Sequence, residues 1–394
     1  MKEFNCEAHI IGGGLIGSAA AYLMTSLGYK TILTEKKNNI SKKTIFDDTR
    51  TIAISEGTKK FLNEIGLWRD INKFAEPIRK IKVIDRDISN NLNFDNFRRQ
   101  SSLGYVVKNR IVHQIINKKI SSLKGFKIFQ GQEITHIHYE SDKAVSRTKD
   151  ININSDIIIA ADGKNSSIRN LMKTPLYKKN YNKKALVITM KHSEDHNNIA
   201  YEYFFKDGPF AVLPMKREKG AKCSSVIWTH NKNYFDSLIK LSDKEMITIL
   251  SEKLNNSLGK ILSLTSKQLF PLSAHINTRF YENRLVYVGD SAHSIHPIAG
   301  QGWNLGMQDV ESIYNLVKKY NSLGLELGDE IFCKEFQKNN FYKAYRLYQI
   351  TDKVDRVFKL DNTIFNQARF SAINLIEKSK KLKNQISDFA MGVN

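Results

Sequence analysis

Residues Ile10-Ile11-Gly12-Gly13-Gly14-Leu15-Ile16-Gly17-Ser18-Ala19-Ala20 carry an apolar run into a G-x-G-x-x-G turn and straight on into small helix formers. This pattern dictates a strand, a tight turn and a helix in one continuous unit. Gly12 permits the turn, Gly14 lets the backbone approach a pyrophosphate, and Gly17 lets the helix pack closely on the strand. Phosphate charge then faces the N–H groups at the helix start, around Leu15 and Ile16. The next apolar run, Lys30-Thr31-Ile32-Leu33-Thr34, closes on Glu35, where a carboxylate accepts hydrogen bonds from a ribose diol. The sequence predicts a dinucleotide site; the plainer alternative is a glycine-rich structural turn.

At 394 residues and 41% hydrophobic content the chain can bury a large core, and its length allows two or three domains. No apolar run reaches the roughly 18 residues of a spanning helix, and the N-terminus passes almost at once into the first strand. We therefore expect neither a membrane span nor a cleaved leader, and a cytoplasmic location. Cys6, Cys223 and Cys333 are scattered, with no C-x-x-C pair or Cys/His cluster, so no metal and no disulfide framework is expected. The formal net charge of +21 comes mostly from Lys spread along the whole chain, with no recognition-helix, zinc-finger or RNA-binding signature. Nucleic acid is not an expected partner. Two readings of the basic surface stay open: attraction to anionic lipid headgroups, at about 1 kcal/mol for each nearby Lys, or a solvated surface with no partner.

Two later patches belong with the first. Residues Ser155-Asp156-Ile157-Ile158-Ile159-Ala160-Ala161-Asp162-Gly163 read as a buried strand and an Asp-Gly turn, with a helix start near Arg169. Alone this is one more strand-to-helix turn. Farther on, Arg284-Leu285-Val286-Tyr287-Val288-Gly289-Asp290 ends a strand, and His293 to Gly302 forms a loop with Pro297, Gly300 and Gly302 before a helix begins near Trp303, Asn304 and Leu305. The glycines permit close backbone approach, and the new helix offers unpaired N–H groups with partial positive charge. Such a terminus would stabilise negative charge on the edge of a reduced flavin, while Asp290 could hydrogen-bond its ribityl chain.

These three patches, in this order and spacing, resemble the class A flavoprotein monooxygenases of para-hydroxybenzoate hydroxylase fold. Within that class, Asp48-Thr49-Arg50-Thr51-Ile52-Ala53-Ile54-Ser55, Gly104-Tyr105-Val106-Val107-Lys108-Asn109-Arg110, Gly208-Pro209-Phe210-Ala211-Val212-Leu213-Pro214 and His296-Pro297-Ile298-Ala299-Gly300-Gln301-Gly302 resemble the ubiquinone-biosynthesis hydroxylases. The likeness runs to Ala390-Met391-Gly392 at the tail. It implies non-covalent FAD, with Arg50 and Arg110 along its phosphate and ribose portions; a surface or structural arginine is the alternative for each. Asp162 organises the second turn, Arg169 is either structural or part of the site, Pro297 shapes the flavin loop, and His293 and His296 either shape it too or shuttle protons.

The implied fold is α/β: a Rossmann-like FAD-binding domain from residues 1–75, 101–181 and 276–329, an inserted antiparallel-sheet substrate domain from 76–100 and 182–275, and a helical region from 330 to the C-terminus. Strand-like pieces at 185–190, 200–205, 210–214 and 223–228 support the sheet, with a helix over 243–262. Tyr203, Phe205, Phe210 and Trp228 are candidates for a substrate wall; ordinary core is the alternative. No general base or catalytic triad is visible.

The resemblance further implies ring hydroxylation of a polyprenylated phenol, with O2 as co-substrate, NAD(P)H or another reductant as transient donor, and a flavin C4a-hydroperoxide as oxidant. Other ubiquinone-biosynthesis proteins are implied partners, and the C-terminal helices either pack on the flavin domain or make a peripheral contact on the cytoplasmic face of the inner membrane. The competing readings are a monooxygenase for a small soluble phenol or alkene, and a noncatalytic flavoprotein subunit of a lipid-modifying assembly.

Overall fold

The computed structural model describes residues 2–38, 48–85, 90–95, 102–296, 298–360 and 362–392. Its first sheet has Lys2–Ile11 at the centre, flanked by Thr31–Glu35 on one side and Ile151–Ala160 on the other, all parallel. Leu285–Tyr287 and Phe126–Gln130 extend it in parallel at the two sides. Ile157, Ile158, Ile159 and Ala160 are all buried, as a parallel strand covered on both faces requires. Thr34, Ile11, Ala160 and Tyr287 fall in one row across this sheet. The loops after the three central strands therefore leave the same edge side by side. In a parallel α/β sheet that edge, beyond the carboxyl ends of the strands, is where ligands bind.

A second sheet forms a roof. Its order is His293–Ser294, Ile261–Asn277, Leu176–His192, Ala221–Asn231, Gly208–Glu218, Ile199–Phe205, Lys80–Asp85 and Asn90–Asp95. Neighbours run antiparallel except Ile199–Phe205 beside Lys80–Asp85. Leu176–His192 and Ile261–Asn277 are 17 residues each and begin or end beyond the expected 182–275 segment. Glu76–Ile78 joins a small sheet with Thr51–Ser55 and Gly104–Lys108 rather than the roof. The expected helix over 243–262 stops at Leu254, because Asn255 and Asn256 take left-handed backbone conformations with φ of 47° and 56°. The residues that follow alternate as a strand.

The roof has two faces, and side chains alternate between them. Leu186, Ile188, Tyr203, Phe210, Val226 and Trp228 share one core with Phe235, Leu238, Met246 and Leu250 of the helices Lys232–Leu238 and Asp243–Leu254. Phe205 packs on that core with Lys253 over its ring. The opposite face turns to the small sheet: Thr51 Oγ1 donates to Ser225 Oγ at 3.1 Å, and the Arg50 guanidinium just before it lies 5.2 Å from the centre of the Phe270 ring. Tyr203, Phe205, Phe210 and Trp228 are thus on the helix side, and the substrate-wall expectation is corrected for all four. A one-residue offset along each strand separates the two faces. Trp228, 1% exposed, is core. Trp228→Ala is expected to cost about 3–5 kcal/mol of stability in urea unfolding; a loss under about 1 kcal/mol would contradict its placement.

Candidate flavin site

The phosphate loop is built without slack. Gly12 has φ of +106°, and a Cβ there would meet Ala161 O at 2.5 Å. A Cβ on Gly17 would sit 1.9 Å from Gly12 O. Gly14 differs: its φ is −70° and none of the described residues lies within 4 Å of a Cβ built on it. Its openness is space left for a ligand rather than for the fold. The helix Leu15–Ser26 that follows has no capping side chain and no acid in its first turn, so its leading N–H groups face that space unneutralised.

Glu35 accepts from Gly13 N at 2.7 Å and from Lys37 N at 2.9 Å, which ties the end of its strand to the phosphate loop. It lines a cleft of about 160 Å³ with Gly12, Lys36, Gln132, Ile134, Asp162 and Asn165. Asp162 Oδ2 accepts from Ser167 Oγ and Ile168 N, so this carboxylate organises the second turn, and its buried Oδ1 has no partner among the described residues.

The third patch docks on the first through Ile16, whose side chain fills the space beside Gly289 and Gly306. Asp309 holds the turn, accepting from Gly289 N at 2.8 Å and from His293 Nε2 at 2.7 Å. Burial opposes a charge on His293, but the Asp309 carboxylate outweighs it and raises the imidazole above its ordinary value. His293 is therefore a structural partner of the loop. Asp290 is exposed to the groove, and crowding by protein raises its carboxyl while His293, Lys164 and Arg50 pull it down. Arg50 is also held by Asp48 at 2.8 Å and stays half-exposed. Lys164 of the second patch and Arg50 both feel the charge of Asp290.

Arg169 joins the second patch to the third: its guanidinium donates to Lys164 O, to Ser291 O and to His275 Nε2. Burial and that guanidinium keep His275 neutral, pushed down to about 3. The helix Gly302–Leu323 starts with no side-chain cap and no acid, and none of the described residues lies within 4 Å of a Cβ on Gly302. Trp303 Nε1 beside it is buried without a partner among the described residues. Both ends of the Asn304 amide are spent on Ala53 O and Ser55 N, and Leu305 is buried in the core. Arg110 opens into a different cleft, of about 410 Å³, with Thr51, Lys108, Lys216 and Arg217. Gly300, with φ of +62°, packs on Ala53. Pro297 lies outside the described residues.

Sequence reading missed His113, which donates to Gly13 O at 2.8 Å from the helix Asn109–Ile120, and Asp309. Both act on backbone groups brought close only by the fold. Among the described residues no group of His, Cys, Asp and Glu could hold a metal, and the three cysteines are buried and free.

A Gly-rich turn, two uncapped helix starts, a carboxylate at the ribose position and a second one in the third turn converge at one sheet edge, which fits a flavin dinucleotide. Residues 5–322 match the FAD-binding domain family, and the chain belongs to it. FAD is its cofactor. Over 97% of its length the chain is 27% identical to ubiquinone hydroxylase UbiL of Rhodospirillum rubrum, of which it covers 89%. It is 23% identical to 3-demethoxyubiquinol 3-hydroxylase of Escherichia coli, with 98% of each chain covered. The fold is similar to that of p-nitrophenol 4-monooxygenase of Pseudomonas putida, with a TM-score of 0.78, 15% identity and full coverage of both chains.

Gly14 separates binding from folding, because a side chain there meets none of the described residues. Gly14→Val is expected to fold with an unchanged thermal midpoint of the apoprotein yet lose at least about tenfold in FAD affinity, the cost of roughly 1.4 kcal/mol, read as flavin per chain after gel filtration. Full flavin retention by that variant would contradict a pyrophosphate at Gly14.

Proposed function

We propose that this protein is an FAD-dependent monooxygenase that hydroxylates the aromatic ring of a polyprenylated phenol in ubiquinone biosynthesis. The observation that carries this reading is likeness over nearly the whole chain to ubiquinone hydroxylases, joined to an inward roof face that can cover a ring above the flavin groove. When bound and reduced by NAD(P)H or another donor, FAD supplies the activation of O2. The chain supplies binding and shelter. Gly14 and the start of Leu15–Ser26 hold the diphosphate, Glu35 and Asp290 hold hydroxyls, and the first N–H groups of Gly302–Leu323 hold negative charge on the ring edge. The inward roof residues Val187, Ala211, Leu213, Ile227 and Phe270 exclude water from the space above.

A tail of isoprene units needs an apolar route from a bilayer. No helix among the described residues is long and apolar enough to cross a membrane. The helix Thr363–Lys378 instead points Ile364, Phe365, Ala368, Ala372 and Leu375 outward as one stripe, with Ile364 76% and Leu375 63% exposed. Lys378, Lys380 and Lys381 follow at its end. We assign this stripe to contact with an anionic lipid surface, apolar residues entering the headgroup layer and lysines meeting phosphates.

Two measurements test these roles. Cells lacking the gene should accumulate a quinone precursor short of one ring hydroxyl, seen by mass spectrometry of lipid extracts; an unchanged quinone pool without a redundant enzyme would refute the assignment. Purified protein should co-sediment with phosphatidylglycerol vesicles and not with pure phosphatidylcholine. Ile364→Glu/Leu375→Glu should cut that binding about tenfold or more, whereas equal binding of the variant would remove the stripe from the interface.

A further inference from the structure

Glu202 is a carboxyl set in an apolar wall with no partner among the described residues. On the strand Ile199–Phe205, Ile199, Tyr201, Tyr203 and Phe205 pack toward the helices, so Ala200, Glu202 and Phe204 face inward. The inward neighbours are fixed on both sides. Ala200 packs with Met215, Cys223 and Met391, and the Phe204 ring stacks on Phe358 at 3.8 Å. Ala211 and Val83 lie opposite Glu202 on the adjoining strands. The carboxyl makes no hydrogen bond or ion pair among the described residues, although its side chain is not fully closed off.

This inward surface connects to the flavin loop through the helix Glu330–Lys359. Three of its positions, one turn apart, meet successive parts of the enclosure. Asp352 accepts from Tyr181 Oη at 3.2 Å, Asp355 lies 3.8 Å from His296 Nε2, and Phe358 meets Phe204. His296 is fully buried, edge-on to Tyr181, and leads directly into the flavin loop. Glu202 therefore lies on the inward face of the roof, next to Phe204, which this helix ties to the residue that enters the flavin loop. Packing gives no reason for an acid here, since an unpaired carboxylate in apolar surroundings opposes folding.

We propose that Glu202 is the base that accepts the phenol proton of the substrate, a role that rests on the phenol-hydroxylase reading above. The phenol O–H bond breaks, the proton moves to the Glu202 carboxylate, and the electron pair stays on the phenol oxygen and spreads to the ortho and para carbons. Those carbons become better nucleophiles toward the activated oxygen. The new C–O bond forms as the O–O bond of the activated oxygen breaks, the C–H proton of the oxygenated carbon passes to the oxygen left behind, and as the ring regains aromaticity the Glu202 proton returns to the original oxygen and the carboxylate is restored.

Burial alone pushes Glu202 up to about 8, close to working pH, where a general base is most effective. Charged groups on the packed elements are engaged with one another, Asp85 with Arg369, Asp355 with Lys359, and Asp352 with Lys179 and Arg356, while burial pushes His296 down to about 4 and leaves it neutral. Because the base works ionised, turnover should rise with pH through about 8 and level off above it. The folded-state value is raised, so the stability associated with neutral Glu202 is present in acid and lost as pH rises through about 8.

The test uses FAD-loaded full-length protein and a phenol bearing one short ortho prenyl group. Glu202→Gln should keep its FAD and its affinity for the phenol, hydroxylate about 100-fold or more slowly, and lose the rise in rate near pH 8. Its thermal midpoint should exceed that of wild type at alkaline pH and match it in acid. Glu202→Asp should retain the pH limb with a smaller loss of rate. A Gln variant within roughly threefold of wild type, with the same pH profile, overturns the proposal; the same holds for one that no longer retains FAD, which would make the carboxyl structural. Wild type that turns over no phenol would sink the hydroxylase reading itself, a result distinct from an active wild type with an equally active Gln variant.

Discussion

Register in the parallel sheet is the constraint on which the rest depends. Thr34, Ile11, Ala160 and Tyr287 stand in one row, and backbone bonds just beyond it continue the alignment: Gly12 N to Thr34 O, Ala161 N to Ile11 O and Val288 N to Ala160 O. Segments far apart in sequence therefore deliver their turns to one edge. A slip of one residue in any of these pairings would turn the side chains at the strand ends to the other face and move its turn out of line. The cofactor site is a consequence of strand pairing before any side chain is considered.

Buried polar side chains then lock the aligned turns. Arg169 bridges the second turn to the third, Asp309 secures Gly289 and His293, Asn304 clamps the strand Thr51–Ser55, and His113 holds Gly13. Each satisfies backbone groups that would otherwise be buried and bare, at a cost of about 1–3 kcal/mol apiece. This arrangement holds the groove in shape and leaves the remaining donors, at Gly14 and Gly302, for a ligand. Chemistry can then reside in the cofactor while the protein supplies position and dryness.

Much of this was legible in the sequence because glycine requirements are local. Gly12 and Gly17 are forced by contacts within their own strand, turn and helix, and the Asp-Gly and Gly-Asp turns announce themselves after apolar runs. Face assignment was not legible. In Ile199–Phe205 both sides of the strand are buried in part, so alternation shows a strand without saying which side meets the helices, and the large aromatics Tyr203 and Phe205 belong to the outer core. Likewise Leu258, Ile261 and Leu264 continue an apolar rhythm after Leu254, and only the left-handed Asn255 and Asn256 mark the change from helix to strand. The partners of Arg169, Asp309 and His113 lie more than local distance away, so their types were visible and their roles were not.

Absorbance of the purified full-length protein tests the convergence of the three turns most directly. The account predicts an oxidised-flavin band near ~450 nm, in a ratio of about one FAD per chain. A folded, monodisperse preparation that remains colourless and takes up no added FAD would contradict it.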